Sequence, residues 1–111
     1  MESSSRVAAI RRLNDQLRQS GRGGRMVMTI GIEALGQERI AKIMDAVRRF
    51  DVFGKENDPH GEHDCATVTV DGIEVMWKID YYDLAMECHS PDAADPSVTT
   101  RVITVMLAEE Y

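Results

Sequence analysis

Apolar residues recur along the chain with two different periods. Near the start, Val7, Ile10, Leu13 and Leu17 return every three or four positions, which places them on one face of a helix. Ser4 or Ser5 is positioned to cap that helix, and the Gly21-Arg22-Gly23-Gly24 run ends it. The same period returns from about Gln37 to Phe50, where Ile40, Ile43, Met44 and Val47 form the inward stripe. Glu38, Arg39, Lys42, Asp45, Arg48 and Arg49 then face outward, with Glu38 and Lys42 in the favourable i,i+4 order. Between the two helices, Met26 to Ile32 is apolar on both faces and reads as a buried strand.

The second half alternates instead. Thr67 and Thr69 interleave with Ala66, Val68 and Val70, and Asp71-Gly72 is a strong two-residue hairpin signal. The returning strand carries Ile73, Val75, Trp77 and Ile79 on one face and Glu74, Met76, Lys78 and Asp80 on the other, and continues through Tyr81 and Tyr82. Trp77 therefore belongs to the core. Arg101 to Ala108 is apolar on both faces, which suits a central strand. Polar loops cover 54–64 and 90–97, the second holding two prolines. The pattern predicts an α+β fold: two helices packed on a mainly antiparallel four-stranded sheet, in the order α-β-α-β-β-β, forming one domain over 1–111.

Composition sharpens this picture through charge. The 111 residues are 43% hydrophobic and 29% charged, with a net charge of -6, as in an ordinary globular domain with one core. That net charge averages two unlike regions. Residues 1–25 hold six arginines against two acids, whereas the remainder holds 7 basic and 17 acidic side chains. A basic helix with its Gly-rich linker over 1–24 thus precedes an acidic body over 25–111. Arg11, Arg12, Arg18 and Gln19 are expected to face away from the apolar stripe. They form either a solvated face or a contact with phosphates, an acidic partner or the acidic body of a second copy, which would make a homodimer. The body itself is a poor nucleic-acid or membrane binder. No secretory signal or membrane-length apolar run appears, so the expectation is a cytoplasmic protein with Cys65 and Cys88 as free thiols.

Candidate chemistry gathers in Asp58, His60, Glu62, His63 and Asp64, five ionisable groups within seven residues. Imidazoles and carboxylates are ordinary ligands for a divalent metal, and His60, His63 and Asp64 are the candidate ligands; no other cofactor is expected. His63 between Glu62 and Asp64 is also the best candidate for acid–base work. A turn at 71–72 sets residue 79 opposite residue 64, which brings Asp80, and with it Tyr82, toward His63 and Asp64. A hydrolytic centre would then use Glu62, His63, Asp64 and Asp80 as catalytic groups, with Lys78 alongside. Such a centre is acidic unless it holds a cation. No phosphate-cradling Gly-rich loop or nucleophile elbow is present.

Several strings carry a resemblance. Leu13-Asn-Asp-Gln-Leu-Arg18, Gly23-Gly-Arg25, Glu56-Asn-Asp-Pro-His-Gly-Glu-His-Asp64, Trp77-Lys-Ile-Asp-Tyr-Tyr-Asp83, Ser90-Pro-Asp92 and the segment Thr100 to Tyr111 span nearly the whole chain. Together they resemble a family of bacterial proteins of about this length, a domain of unknown function found largely in alphaproteobacteria and often near plasmid or mobile-element genes. Cys65-Ala66 departs from the aromatic and glycine expected there. The resemblance implies the bacterial cytoplasm and an accessory role on mobile DNA, and it supplies no catalytic residues.

Two readings follow. The first is a small acidic interaction module, such as an inhibitor of a host defence nuclease of the anti-restriction or anti-CRISPR type, whose partner presents a basic surface. Its partner-binding residues would be Asp58, Glu62, Tyr81, Tyr82, Asp83, Asp92 and Asp95. The alternative is the metal-assisted hydrolase built on the 58–64 loop and the 80–83 strand end.

Overall fold

The computed structural model describes residues 2–111. Helix α1 spans Glu2–Ser20, strand β1 Arg25–Met28, the short helix α2 Ile30–Glu33 and helix α3 Gln37–Arg49. Strands β2 (Cys65–Val70), β3 (Ile73–Tyr82) and β4 (Thr100–Leu107) follow, with 3-10 turns at Pro96–Val98 and Ala108–Glu110. Asp71 and Gly72 both take positive φ, 51° and 78°, the type I′ geometry that the right-handed strand twist favours and that the Asp-Gly pair predicts.

The sheet order is β1-β4-β3-β2, so β4 is central as its two apolar faces require. The β2–β3 and β3–β4 pairs are antiparallel, but β1 runs parallel to β4. The sheet is therefore mixed, which corrects the expectation of a mainly antiparallel one. Apolar periodicity reports which face a side chain occupies and carries no information on strand direction. Between β1 and β4 the chain makes two helices and a hairpin, so it returns beside β1 from the same end.

Three local expectations also change. The strand predicted over Met26–Ile32 stops at Met28, and Ile30–Glu33 forms α2. There Val27 lies on an edge strand and is 45% exposed, while Ile30 is 84% exposed. Helix α1 already begins at Glu2, so positions 4 and 5 fall within it rather than before it. Arg18, expected outward, is 1% exposed, and Asn14 is fully buried.

All three helices cover one face of the sheet. Leu17 of α1, Ile32 of α2 and Ile43, Met44 and Val47 of α3 pack on Ala66, Val75, Trp77, Ile79, Ile103 and Val105. Each such aliphatic side chain contributes about 1.5–3 kcal/mol on burial, and Trp77 is fully enclosed. Gly24 lets the chain enter β1 close against the start of β4, because a Cβ there would collide with the Arg101 carbonyl and the Leu17 side chain. Among the described residues, no helix is long and apolar enough to cross a membrane.

Candidate functional site

The 54–64 loop has almost no apolar side chains, and polar contacts hold it against α1. Arg11 donates to the Gly61 carbonyl at 3.0 Å, and Asn14 donates to the Glu62 carbonyl at 3.0 Å. His63, in the left-handed region at φ 54°, turns its ring toward α1. Its Nδ1 lies 2.9 Å from Asp15 Oδ1, its Nε2 lies 3.6 Å from Asp58 Oδ2, and its face stacks on Phe53 at 3.7 Å. Asp15 also accepts from Arg18 at 3.0 Å. The other Arg18 amino group donates to the Val47, Arg48 and Phe50 carbonyls at the end of α3, satisfying acceptors that a helix terminus leaves open. Its guanidinium also packs over the Phe53 and Trp77 rings.

Asn14 links this loop to the sheet. It donates to the Tyr81 hydroxyl at 2.8 Å, and that hydroxyl donates to Glu62 Oε1 at 2.8 Å. The Asn14 side-chain oxygen accepts from Arg101 Nε at 2.7 Å, while another Arg101 nitrogen donates to the Ala93 carbonyl. Burial pushes the Tyr81 phenol far above its ordinary range and lowers Arg101. Asn14, Glu62, Tyr81 and Arg101 thus each have partners, which is what buried polar groups need to be tolerated, whereas Arg18 Nε and Trp77 Nε1 are buried without one.

A second polar region faces solvent. Beyond Tyr82 the chain makes a tight excursion closed by the Asp83 N–H donating to the Cys88 carbonyl at 2.9 Å and the Ser90 N–H donating to the Tyr81 carbonyl at 2.9 Å. Tyr82 and His89 form the bridge between its two arms. This 83–89 hairpin, the end of β3 and Asp64 enclose a groove of about 390 Å³, lined among others by Asp64, Asp80, Tyr82, Glu87, Cys88 and His89. His89 Nδ1 lies 3.0 Å from the Ser90 carbonyl; donation there leaves Nε2 as a free acceptor. Burial raises the Asp64 carboxyl; its own N–H opposes this, Glu62 and Asp58 add to it, and His60 pulls the other way. Burial and the same two aspartates, Asp64 and Asp58, raise the Cys65 thiol, moving it away from nucleophilic thiolate. At the hairpin tip Leu84 is 66% and Met86 37% exposed, and Met86 takes φ 59°.

The hairpin register holds as derived: the Ile79 N–H donates to the Asp64 carbonyl at 2.7 Å. Asp80 nevertheless pairs with Lys78 at 2.7 Å, while His63 turns to the opposite side of the sheet start, toward Asp15. Among the described residues, no three His, Cys, Asp or Glu side chains converge as metal ligands, and His60 is exposed on the loop. Of the residues expected on a partner face, Asp58 is 8% exposed and turned in on His63, while Glu62 and Tyr81 belong to the internal network. Asp83, Asp92 and Asp95 accept from the Glu87, Ala94 and Ser97 N–H groups, and Asp92 also pairs with Arg6. Tyr82 lines the groove.

Sequence reasoning missed Asn14, Glu87, Cys88 and His89. Asn14 had a usable signal: it stands four after Ile10 and three before Leu17, on their face of the helix. A family model described as "Protein of unknown function (DUF3768)" matches residues 28–110. No curated protein and no solved structure matches the chain.

Proposed function

The chain belongs to this family, a domain of unknown function, and from the geometry of its two polar regions we propose that it is a protein-interaction module. One observation carries the reading. The His63 ring has a carboxylate at each nitrogen and Phe53 on its face, so the loop richest in chemistry is occupied in holding the fold. The outward region is the 83–89 hairpin, where Leu84 and Met86 stand exposed beside the acidic groove. Apolar anchors ringed by carboxylates suit a partner with an apolar cleft and a basic rim. In its sharper form the partner is a defence nuclease whose basic groove the acidic body occupies, in keeping with the family resemblance to proteins near mobile elements.

The test is affinity capture with the full chain and with a Leu84→Asp/Met86→Asp variant of equal melting temperature. A partner retained by the first and lost by the second supports the reading; equal retention defeats it. The sharper form also predicts that co-expression with a restriction system raises the plating of unmodified phage.

A second reading is hydrolysis in the groove, favoured by its lining, which holds both His89 and the Asp64 carboxyl that burial raises. It requires turnover of a model ester or phosphodiester that His89→Ala removes without altering the fold.

A further inference from the structure

The basic character of residues 1–25 is not spread evenly around α1. Arg18 is buried, Arg11 donates to the Gly61 carbonyl, and Arg6 pairs with Asp92. Arg12, Arg22 and Arg25 are exposed and make no ion pair among the described residues. An open groove of about 460 Å³ runs along the outer side of α1, lined by Arg11, Arg12, Gln16, Gln19, Ser20 and Arg22. Arg12, Gln16 and Gln19 rise along one side of the helix over about 10 Å. After Gly21 the chain brings Arg22 back to the same groove, where the Arg22 N–H donates to Ser20 Oγ at 3.4 Å. Arg11, held by its bond to the loop, also lines the groove. The groove also touches Asp15, whose carboxylate is already engaged by Arg18 and His63.

We propose that this face of α1 binds the phosphate backbone of a nucleic-acid strand. Three features of the lining select that occupant. Arginine forks and glutamine side-chain amides are groups that contact phosphate oxygens, while the Ser20 hydroxyl gives its proton to the Gln16 carbonyl at 2.6 Å. Ala8 is the one apolar side chain in the lining, whereas a protein partner needs apolar anchors at the centre of its contact. No aromatic ring lines the groove, so bases are not stacked there and the contact is independent of sequence. The acidic body repels the rest of the strand, which confines the contact to about three phosphates. The groove also lies outside residues 28–110, the part matched by the family model. The inference does not depend on the hairpin's role, and each can fail without the other.

The test is fluorescence anisotropy of a fluorescein-labelled duplex of about 20 base pairs with the full chain at 50 and 200 mM salt. The expected dissociation constant at 50 mM is ~10–100 µM, weakening about 40-fold at 200 mM, the slope for about three phosphates. An Arg12→Gln/Arg22→Gln variant should bind at least about tenfold more weakly. An Arg39→Gln/Arg48→Gln variant, which removes the same charge from α3, should stay within about twofold. Both should melt with the parent chain. Three results would overturn the proposal: no binding at 50 mM salt, equal loss in both variants, or a polyglutamate peptide competing as well as unlabelled DNA.

Discussion

Two segments of this chain carry nearly the same chemistry and put it to opposite uses. Glu62-His63-Asp64-Cys65 and Glu87-Cys88-His89 each set an acid, an imidazole and a thiol side by side, and each lies beside the end of β3. In the first, Arg11, Asn14 and Asp15 of α1 offer donors and an acceptor at the right heights, so the loop folds inward and its polar groups find partners. In the second, main-chain hydrogen bonds and the Asp83 carboxylate, which accepts from the Glu87 N–H, close the hairpin from within, and Leu84, Met86 and Glu87 are left in solvent. Ionisable residues in a cluster therefore say little about function until their partners are known. Here the cluster with more charges is the structural one.

The comparison can be broken most severely at its buried end. Arg18→Met leaves three carbonyls and Asp15 without their donor, and should cost about 3 kcal/mol in urea unfolding. Asn14→Leu should cost about 2 kcal/mol, because Arg101 Nε and the Tyr81 hydroxyl lose their shared partner. Tyr81→Phe should cost about 1 kcal/mol, since Asn14 keeps its other bonds.

Asp64 gives a pH signature. Its folded pKa lies above the ordinary 3.8, so the folded state holds the proton more tightly than the unfolded one. Its contribution to stability is full below 3.8 and is lost as pH rises through the raised value. Asp64→Asn should flatten that loss in melts recorded across acidic pH. Glu110 has the opposite sign: Thr29, Leu107 and Gly31 donate to it and lower its pKa, so its contribution is present above 4.5 and is lost as pH falls through the lowered value. A Glu110→Gln variant should be less sensitive there. The smallest effect belongs to the hairpin. Met86→Gly removes left-handed strain and should leave stability unchanged or raise it by up to about 1 kcal/mol, while weakening partner capture.

Much of the fold was legible because it is local. Asp71-Gly72 determines a hairpin, the alternation from Ile73 to Tyr82 determines its face, and two apolar faces place β4 in the middle. The parallel pairing of β1 was not legible, since it depends on where a long connection returns. The buried network was half legible. Counting apolar positions finds Ile10 and Leu17 but passes over Asn14 and Arg18, which share their side of α1 and are buried because loop and helix-end acceptors meet them there. Glu87, Cys88 and His89 join the groove through the Tyr82–His89 pairing, and the 83–88 segment has no glycine or proline to announce its turn.

Thermal melting of His63→Ala beside Leu84→Ser/Met86→Gly tests the contrast between the two segments most directly. The account predicts a fall of about 8–10 °C for the first, which loses a ring stack and two carboxylate contacts, and for the second no fall beyond about 2 °C and a rise of up to about 4 °C. Equal shifts, or a larger fall in the hairpin variant, would contradict it.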